Sequence, residues 1–519
     1  MRLVKNQKIS MVLFLILIFS FFLRIYRIDY HRVWYDEVRS IATAEKISSK
    51  EGFFAYYKPL YFLILKLWIN LFGIDVTLLR LLSVIFAIIS IIFIYRIGCL
   101  IINSRLGIIS AFLLSISCFH IYHSQQVRHF TFLVMLCVLS YFYLLKIWQG
   151  RNKFFLYNTF LNILIIFTHP YGLSVVLAQN LCIFLVFNRK KIKRWFSYQS
   201  IIFLSCIIWF IFSDRDTMVK NTWWIKVPHF NNIIETLHTF SYGGPRYGLD
   251  DFQIVFNFPI IINLIFLIFA VFLIFGSIKL FGKHRRAFYF LLGWLIIPIL
   301  SAYIFSLLFF PVYLIKHLII CLPAFYLLVG VGICELRRKL LVCLVVVSIF
   351  LLNIYPLKVI YVEDYSIDWE KATEFLKNNI KPFDAILISP VCQLNSFLYY
   401  FRPHKRGFLK DLDTYGKVLN GNIVEVFKER DNLILGLKQN QNRNIADFKK
   451  EILEKINILK KYFEGENVWL LVDRWTDQGS DEENFLVHTF SNVYHKEDMQ
   501  RFYGINVYKF KNYEICTDF

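Results

Sequence analysis

Between the apolar runs Met11–Leu23 and Leu78–Ile94 the chain reads His31-Arg32-Val33-Trp34-Tyr35-Asp36-Glu37-Val38-Arg39-Ser40. The two runs decide the fold class, and the polar island between them raises the question of chemistry. Each run, with its flanks, approaches the ~20 residues that a helix needs to cross a bilayer. A loop holding two adjacent carboxylates, two arginines and two aromatic rings is unusual between membrane segments, which points to a reaction site at the bilayer surface.

The pattern extends along the chain. Of its 519 residues, 57% are hydrophobic, above the roughly 45–50% of soluble domains. Phe256–Ile274, Ile296–Phe310 and Leu340–Leu352 are further runs with almost no charge. About 11 spans are expected, near 9–25, 78–100, 106–122, 129–148, 154–168, 171–188, 197–213, 256–281, 287–309, 312–334 and 339–356. The first run lacks a small-residue cleavage site and continues through Phe21-Phe22-Leu23-Arg24-Ile25, so it reads as a retained anchor.

The net charge of +21 does not point to nucleic acid, because the basic residues cluster at every second connection. They fall at Arg2, Lys5 and Lys8, at Arg96 and Arg105, at Lys146, Arg151 and Lys153, in Arg189–Arg194, in Lys283–Arg286 and in Arg337–Lys339. The positive-inside bias then predicts a cytoplasmic N-terminus. Three sizeable pieces are expected outside: a first loop, 26–77; a second, 214–255, holding Asp214-Arg215-Asp216, Trp223-Trp224 and Gly243-Gly244-Pro245; and the tail, 357–519. The domain reading is a transmembrane part, 1–356, and an extracytoplasmic α/β domain, 357–519. In the tail, 384–389, 467–473 and 505–510 read as strands, and Trp369–Asn379 and Ile445–Tyr462 as helices. The ten cysteines show no CxxC or Cys/His spacing. Eight lie in or beside apolar spans as small apolar residues; whether Cys392 and Cys516 of the tail pair is left open.

Several residues carry candidate chemistry. Asp36, Arg39 and Ser40 share one face of a helix, with Glu37 turned by about 100°. A carboxylate there can take a proton from a hydroxyl, and a guanidinium one turn on can hold a phosphate. An ordinary surface ion pair explains the same spacing equally well. Lys58-Pro59 opens a second amphipathic stretch ending at Gly73, with Pro59 suited to a helix start; Lys58 reads as an anion contact or a snorkelling anchor. His120, His123 and His129 lie close together but lack a carboxylate or cysteine at ligand spacing, which argues against zinc. Arg128 reads as a phosphate contact or a helix start. Lys316-His317 falls at the outer end of a span, where a lysine is costly unless paired or wetted.

Taken in order, these residues resemble the polytopic glycosyltransferase-C superfamily, nearest the branch of the protein O-mannosyltransferases and the lipid A aminoarabinose transferase. The resemblance rests on Trp34-Tyr35-Asp36-Glu37, Pro59-Leu60-Tyr61-Phe62 with Trp68 and Phe72-Gly73, and Leu79–Ser83. It continues through Phe119–Arg128, Thr168-His169-Pro170-Tyr171-Gly172, Pro311–His317 and Asp368-Trp369, covering most of 24–400. It implies an inverting transfer, on the outer face, of a sugar from a polyprenyl- or dolichyl-phosphate donor to an acceptor hydroxyl. Asp36 maps to the base, with Glu37 beside it. Arg39 matches a family arginine, and Lys58 stands next to Tyr57, the strict counterpart of a basic position. Gln126 stands where relatives often have glutamate, and Lys316-His317 where Arg-Tyr is usual. The expected donor-phosphate contacts are Arg39, Lys58, Arg128 and Lys316. Trp34, Tyr35, Tyr61, Gln126, His169 and His317 are further substrate contacts. A donor with a single phosphate requires no metal, no metal set is assigned, and whether a divalent ion binds is left open. The acceptor, whether glycan, lipid or protein, and the sugar are not encoded legibly. A high Ile, Lys, Asn and Phe content suggests a prokaryotic plasma membrane. A lipid-sugar flippase would want broken or repeated spans, which the sequence does not show; an inactive scaffold relative is the third reading, kept open by Gln126 and His317.

Overall fold

The computed structural model of the protein describes residues 2–47, 59–186, 189–212, 222, 225–243, 259–363, 367–389, 393–401, 426–429, 432–436, 466–473 and 479–511. They divide into two compact units, Met1–Tyr30 with Ile47–Asp364, and His31–Lys46 with Tyr365–Phe519. Residues 31–46 of the first loop thus belong to the same unit as the tail.

The first unit is helical. It contains α1 (Arg2–Ile25) and, after α2 (Tyr35–Lys46) of the other unit, α3 (Pro59–Phe72), α4 (Val76–Ile101), α5 (Ser104–Ser115), α6 (Cys118–Ser124), α7 (Phe130–Trp148), α8 (Phe154–Thr168), α9 (Gly172–Val186) and α10 (Arg189–Phe212). It continues with α11 (Asn231–Tyr242), α12 (Pro259–Lys283), α13 (Arg285–Leu308), a 3-10 turn Ile315–Cys321, α14 (Leu322–Cys334) and α15 (Lys339–Val362). Among the described residues each segment expected to be a span contains helix, but the expected count of about 11 is not confirmed. Among the described residues 7 helices are long and apolar enough to cross a membrane, or up to 8 if α5 and α6, bent by 59°, form one span. The shortfall is one of length: α8 and α9 have 15 residues each, and α10 begins in the basic run at Arg189. The protein is a multi-pass membrane protein on this count.

Helices approach closely where glycines face each other. A Cβ on Gly276 of α12 would lie 2.2 Å from Leu328 O, and one on Gly332 of α14 would lie 2.2 Å from Phe272 O. Small residues at such crossings let backbones meet where lipid offers no hydrophobic drive. Buried amides tie α7, α8 and α9: Ser140 Oγ donates to Asn162 Oδ1 at 2.6 Å, and Asn158 and Asn162 both donate to Gln179 Oε1, at 3.2 and 2.9 Å. The break between α5 and α6 releases the last carbonyls of α5. Fully buried Arg24 takes them up, donating to Ser115 O at 2.9 Å and Leu114 O at 3.2 Å. It also reaches His120 Nδ1 at 2.9 Å, and since a guanidinium only donates, that nitrogen accepts.

The second unit holds a six-stranded sheet of order β2-β3-β1-β4-β6-β5. Its strands are β1 (Ala385–Ser389), β2 (Val426–Glu429), β3 (Asn432–Gly436), β4 (Asn467–Asp473), β5 (His495–Phe502) and β6 (Ile505–Lys511). β1 pairs in parallel with β3 and β4; the outer pairings are antiparallel. α16 (Trp369–Asn379), α17 (Leu394–Phe401) and α18 (Gly479–Ser491) accompany the sheet. The three strands read in the sequence, and the helix at Trp369–Asn379, are present. β1 and β4 are buried at every position, as parallel central strands should be. Asp384 anchors them, accepting from Asn467 N at 3.0 Å and Trp469 Nε1 at 2.9 Å. β5 escaped the sequence reading because it is an exposed edge, His-Lys-Glu-Asp-Met-Gln-Arg-Phe, whose charges guard the edge and erase the alternation. Lys509 of β6 lies 2.5 Å from Glu497 of β5, and that bond holds the Glu497 carboxyl below its ordinary value. The helix expected at Ile445–Tyr462, the Cys392 and Cys516 pair, Asp214–Asp216, Trp223-Trp224 and Gly244-Pro245 lie outside the described residues.

Candidate active site and histidine cluster

In the second unit, the polar island starts α2. Glu37 N and Val38 N donate to Trp34 O at 2.9 and 3.1 Å, which makes Trp34 the residue before the first helical turn. Glu37 is fully buried, and its Oε2 accepts the Trp34 N–H at 3.4 Å. This is the reaching-back half of a capping box, a structural task for a residue expected in catalysis. Asp36 is half-buried in the first turn, where the helix dipole favours a carboxylate. Ser40 Oγ donates to Asp36 O at 2.8 Å, and Arg39 is half-buried one turn on. The helix and the shared face expected for Asp36, Arg39 and Ser40 are therefore present.

The stretch before α2 is held by its own unit. Arg32 Nε lies 3.2 Å from Asp368 and 3.3 Å from Glu370, at the start of α16. Asp368 also caps that helix through Lys371 N at 3.3 Å. The Tyr400 hydroxyl accepts the Val33 N–H at 2.8 Å and donates to Val33 O at 3.1 Å. Burial pushes the Tyr400 phenol well above its usual value, so it stays a protonated donor.

In the first unit, three chain breaks bring the remaining candidates together. Gln126, Arg128 and His129 occupy the turn between α6 and α7. Arg128 N donates to Gln126 O at 2.9 Å, and Ser83 Oγ pins the same carbonyl at 2.6 Å. His169 ends α8 in extended backbone (φ −163°, ψ 141°), as a residue before proline must. Lys316 and His317 ride on the 3-10 turn. The turn is fixed from α9's side by Tyr171, whose hydroxyl donates to Val312 O at 2.6 Å and accepts from Leu314 N at 3.3 Å. Arg128 and Lys316 are only 8% and 6% exposed. Nearby, His123 Nδ1 lies 3.3 Å from Gln126 Oε1.

His129, His169 and His317 meet here. Their rings stand 4.8 Å (129–169), 4.3 Å (169–317) and 6.2 Å (129–317) apart, with His129 and His169 stacked at 8°. One nitrogen from each lies within 4.8 Å of the others. Phe130, Tyr171 and Tyr61 surround them, at 5.9 Å from His317, 5.1 Å from His317 and 6.1 Å from His129. Grouping by sequence joined His129 to His120 and His123. The structure instead turns His120 to Arg24 and His123 to Gln126, and joins His129 to rings from two distant breaks. No local spacing signals such a set. Lys58 lies outside the described residues.

The resemblance read in the sequence finds support at the level of the fold, which solved membrane-protein structures share. Residues 57–212 match the family model described as dolichyl-phosphate-mannose-protein mannosyltransferase. ArnT from Cupriavidus metallidurans in the apo state is similar over 98% of this chain and 98% of its own, at 10% identity and a TM-score of 0.60. The same protein bound to undecaprenyl phosphate is similar over 97% of both chains, at 12% identity and a TM-score of 0.55. The archaeal oligosaccharyltransferase AglB from Archaeoglobus fulgidus, in complex with an inhibitory peptide and a dolichol-phosphate, is similar over 97% of this chain and 74% of its own, at 11% identity and a TM-score of 0.53. No curated protein matches the chain in sequence.

Proposed function

We propose that the protein is a membrane glycosyltransferase that moves a sugar from a polyprenyl- or dolichyl-phosphate donor to an acceptor hydroxyl on the outer face, with inversion. The acceptor O–H gives its proton to the Asp36 carboxylate while its oxygen bonds to the sugar's C1. The C1–O bond to phosphate breaks on the opposite side, and the lipid phosphate leaves with the electron pair. Arg39, Arg128 and Lys316 neutralise that phosphate, and Lys58 is a fourth candidate. Trp34, Tyr35, Tyr61 and Gln126 serve as sugar or acceptor contacts. Glu37 supports Asp36 by fixing the start of α2.

The observation that carries the reading is the burial of two cations, Arg128 and Lys316, on separate breaks of the first unit. A buried cation at a membrane protein's helix end is costly and has a task. Undecaprenyl phosphate and dolichol-phosphate, bound by the similar folds, are ligands of the chemistry such cations suit. Titrating a labelled polyprenyl-phosphate sugar against Arg128→Met and Lys316→Met tests it. Losing one charged hydrogen bond is expected to weaken donor use by about 10- to 150-fold, equivalent to roughly 1.5–3 kcal/mol. Lys316→Arg is expected to keep most activity, because the charge is retained. Unchanged donor dependence in both neutralised variants overturns the assignment.

A further inference from the structure

His129, His169 and His317 come from three elements, yet one nitrogen of each lies within 4.8 Å of the others. We propose that these three side chains form a binding site for a divalent transition metal, zinc first among them, with a fourth position open to an oxygen ligand.

The donor set fits. Imidazole suits zinc, copper and nickel, and three histidines with a vacant fourth position are a known way of holding zinc. Tetrahedral bonds of ~2.05 Å place ligand nitrogens roughly 3.3 Å apart. Ligation therefore requires the three nitrogens to draw in from the observed spread of up to 4.8 Å. A histidine must offer a lone pair to ligate, and His169 does: its Nδ1 accepts the Tyr171 backbone N–H at 3.2 Å. A metal at that nitrogen replaces this donor, and Tyr171 keeps its hold on the neighbouring segment through its hydroxyl. The 8° stack of His129 on His169 likewise suits neutral rings better than two imidazolium ions.

Position adds a second argument. His129 and His169 are buried and His317 is half-buried, so the set opens on one side. His129 and His169 sit at chain breaks and His317 on the 3-10 turn, and the metal would clamp the start of α7 and the α8–α9 connection to that turn. Arg128 and Lys316 adjoin two of the ligands in sequence, and added positive charge is unfavourable there. That favours an anionic oxygen, such as hydroxide, in the fourth position. The competing explanation is a collar of stacked rings with no ion.

The site can be tested with no sugar donor present, so the outcome is independent of the transfer reaction. Full-length protein in detergent, purified without a polyhistidine tag and stripped by a chelator, is titrated with Co²⁺. One equivalent with the visible bands of tetrahedral cobalt, displaced by Zn²⁺, is expected. His129→Gln and His169→Gln are expected to weaken binding by roughly 100-fold or more, the upper range for disturbed ligand shells. His284→Gln, in an exposed connection, is expected to leave it unchanged. Variant folding is checked by melting without metal, and the wild-type titration needs no variant at all. No stoichiometric tetrahedral cobalt in the wild type, or full binding in folded His129→Gln and His169→Gln, overturns the proposal.

Discussion

Asp36 and Glu37 are neighbours with different surroundings, and the difference bears on the roles proposed for them. Glu37 is fully buried and bonds to the Trp34 N–H, whereas Asp36 is half-buried in the first turn of α2. A base must meet its substrate, so Asp36 is the better placed of the two. Asp36→Asn is expected to leave the fold and donor binding intact and to lower turnover by at least ~100-fold. Single-turnover assays with saturating labelled donor give the answer; near-normal turnover removes Asp36 as base. Glu37→Gln is expected to act through stability instead, because the amide accepts the same N–H with less charge.

At the scale of elements, the bend between α5 and α6 depends on Arg24. Its bonds go to two freed carbonyls, to Ser20 Oγ at 2.5 Å and to His120, all neutral acceptors. Arg24→Met would leave the α5 carbonyls without their donor inside the bundle. The expected cost is about 1–3 kcal/mol, since unsatisfied buried acceptors keep their full desolvation penalty. Relief of the arginine's own burial keeps the loss from exceeding this range. Thermal unfolding in detergent measures it, and an unchanged melting temperature would mean that the bend holds itself. The same bend starts α6, which ends just before Gln126, Arg128 and His129, so a loosened bend is also expected to weaken the cobalt signal.

For the whole molecule, orientation in the membrane follows from the alternation of basic connections. We expect the sheet-bearing unit outside and the connection between α12 and α13, with Arg285 and Arg286, inside. Ser480→Cys in α18 should react with an impermeant thiol reagent added to intact cells, and Arg286→Cys should react only after permeabilisation. The reverse pattern would overturn both the orientation and an outer-face reaction. The fold itself tolerates wide sequence change: its likeness to ArnT spans 98% of both chains at 10% identity. Fold-level agreement of that kind leaves acceptor and sugar to be decided by residues at the site.

The sequence by itself determined the apolar helices, the α/β tail with β1, β4 and β6, the start of α2 and the shared face of Asp36, Arg39 and Ser40. All are local: period, capping and burial write them into short windows. It did not settle the number of spans, because apolarity marks α8 and α9 as membrane material while their 15 residues each fall short of the ~20 of a straight crossing. Only the tertiary structure decided that residues 31–46 belong to the same unit as the tail, and that His129 leaves its sequence neighbours for His169 and His317. These are contacts between breaks far apart in the chain. No periodicity encodes them, since each depends on how packed helices bring their ends together.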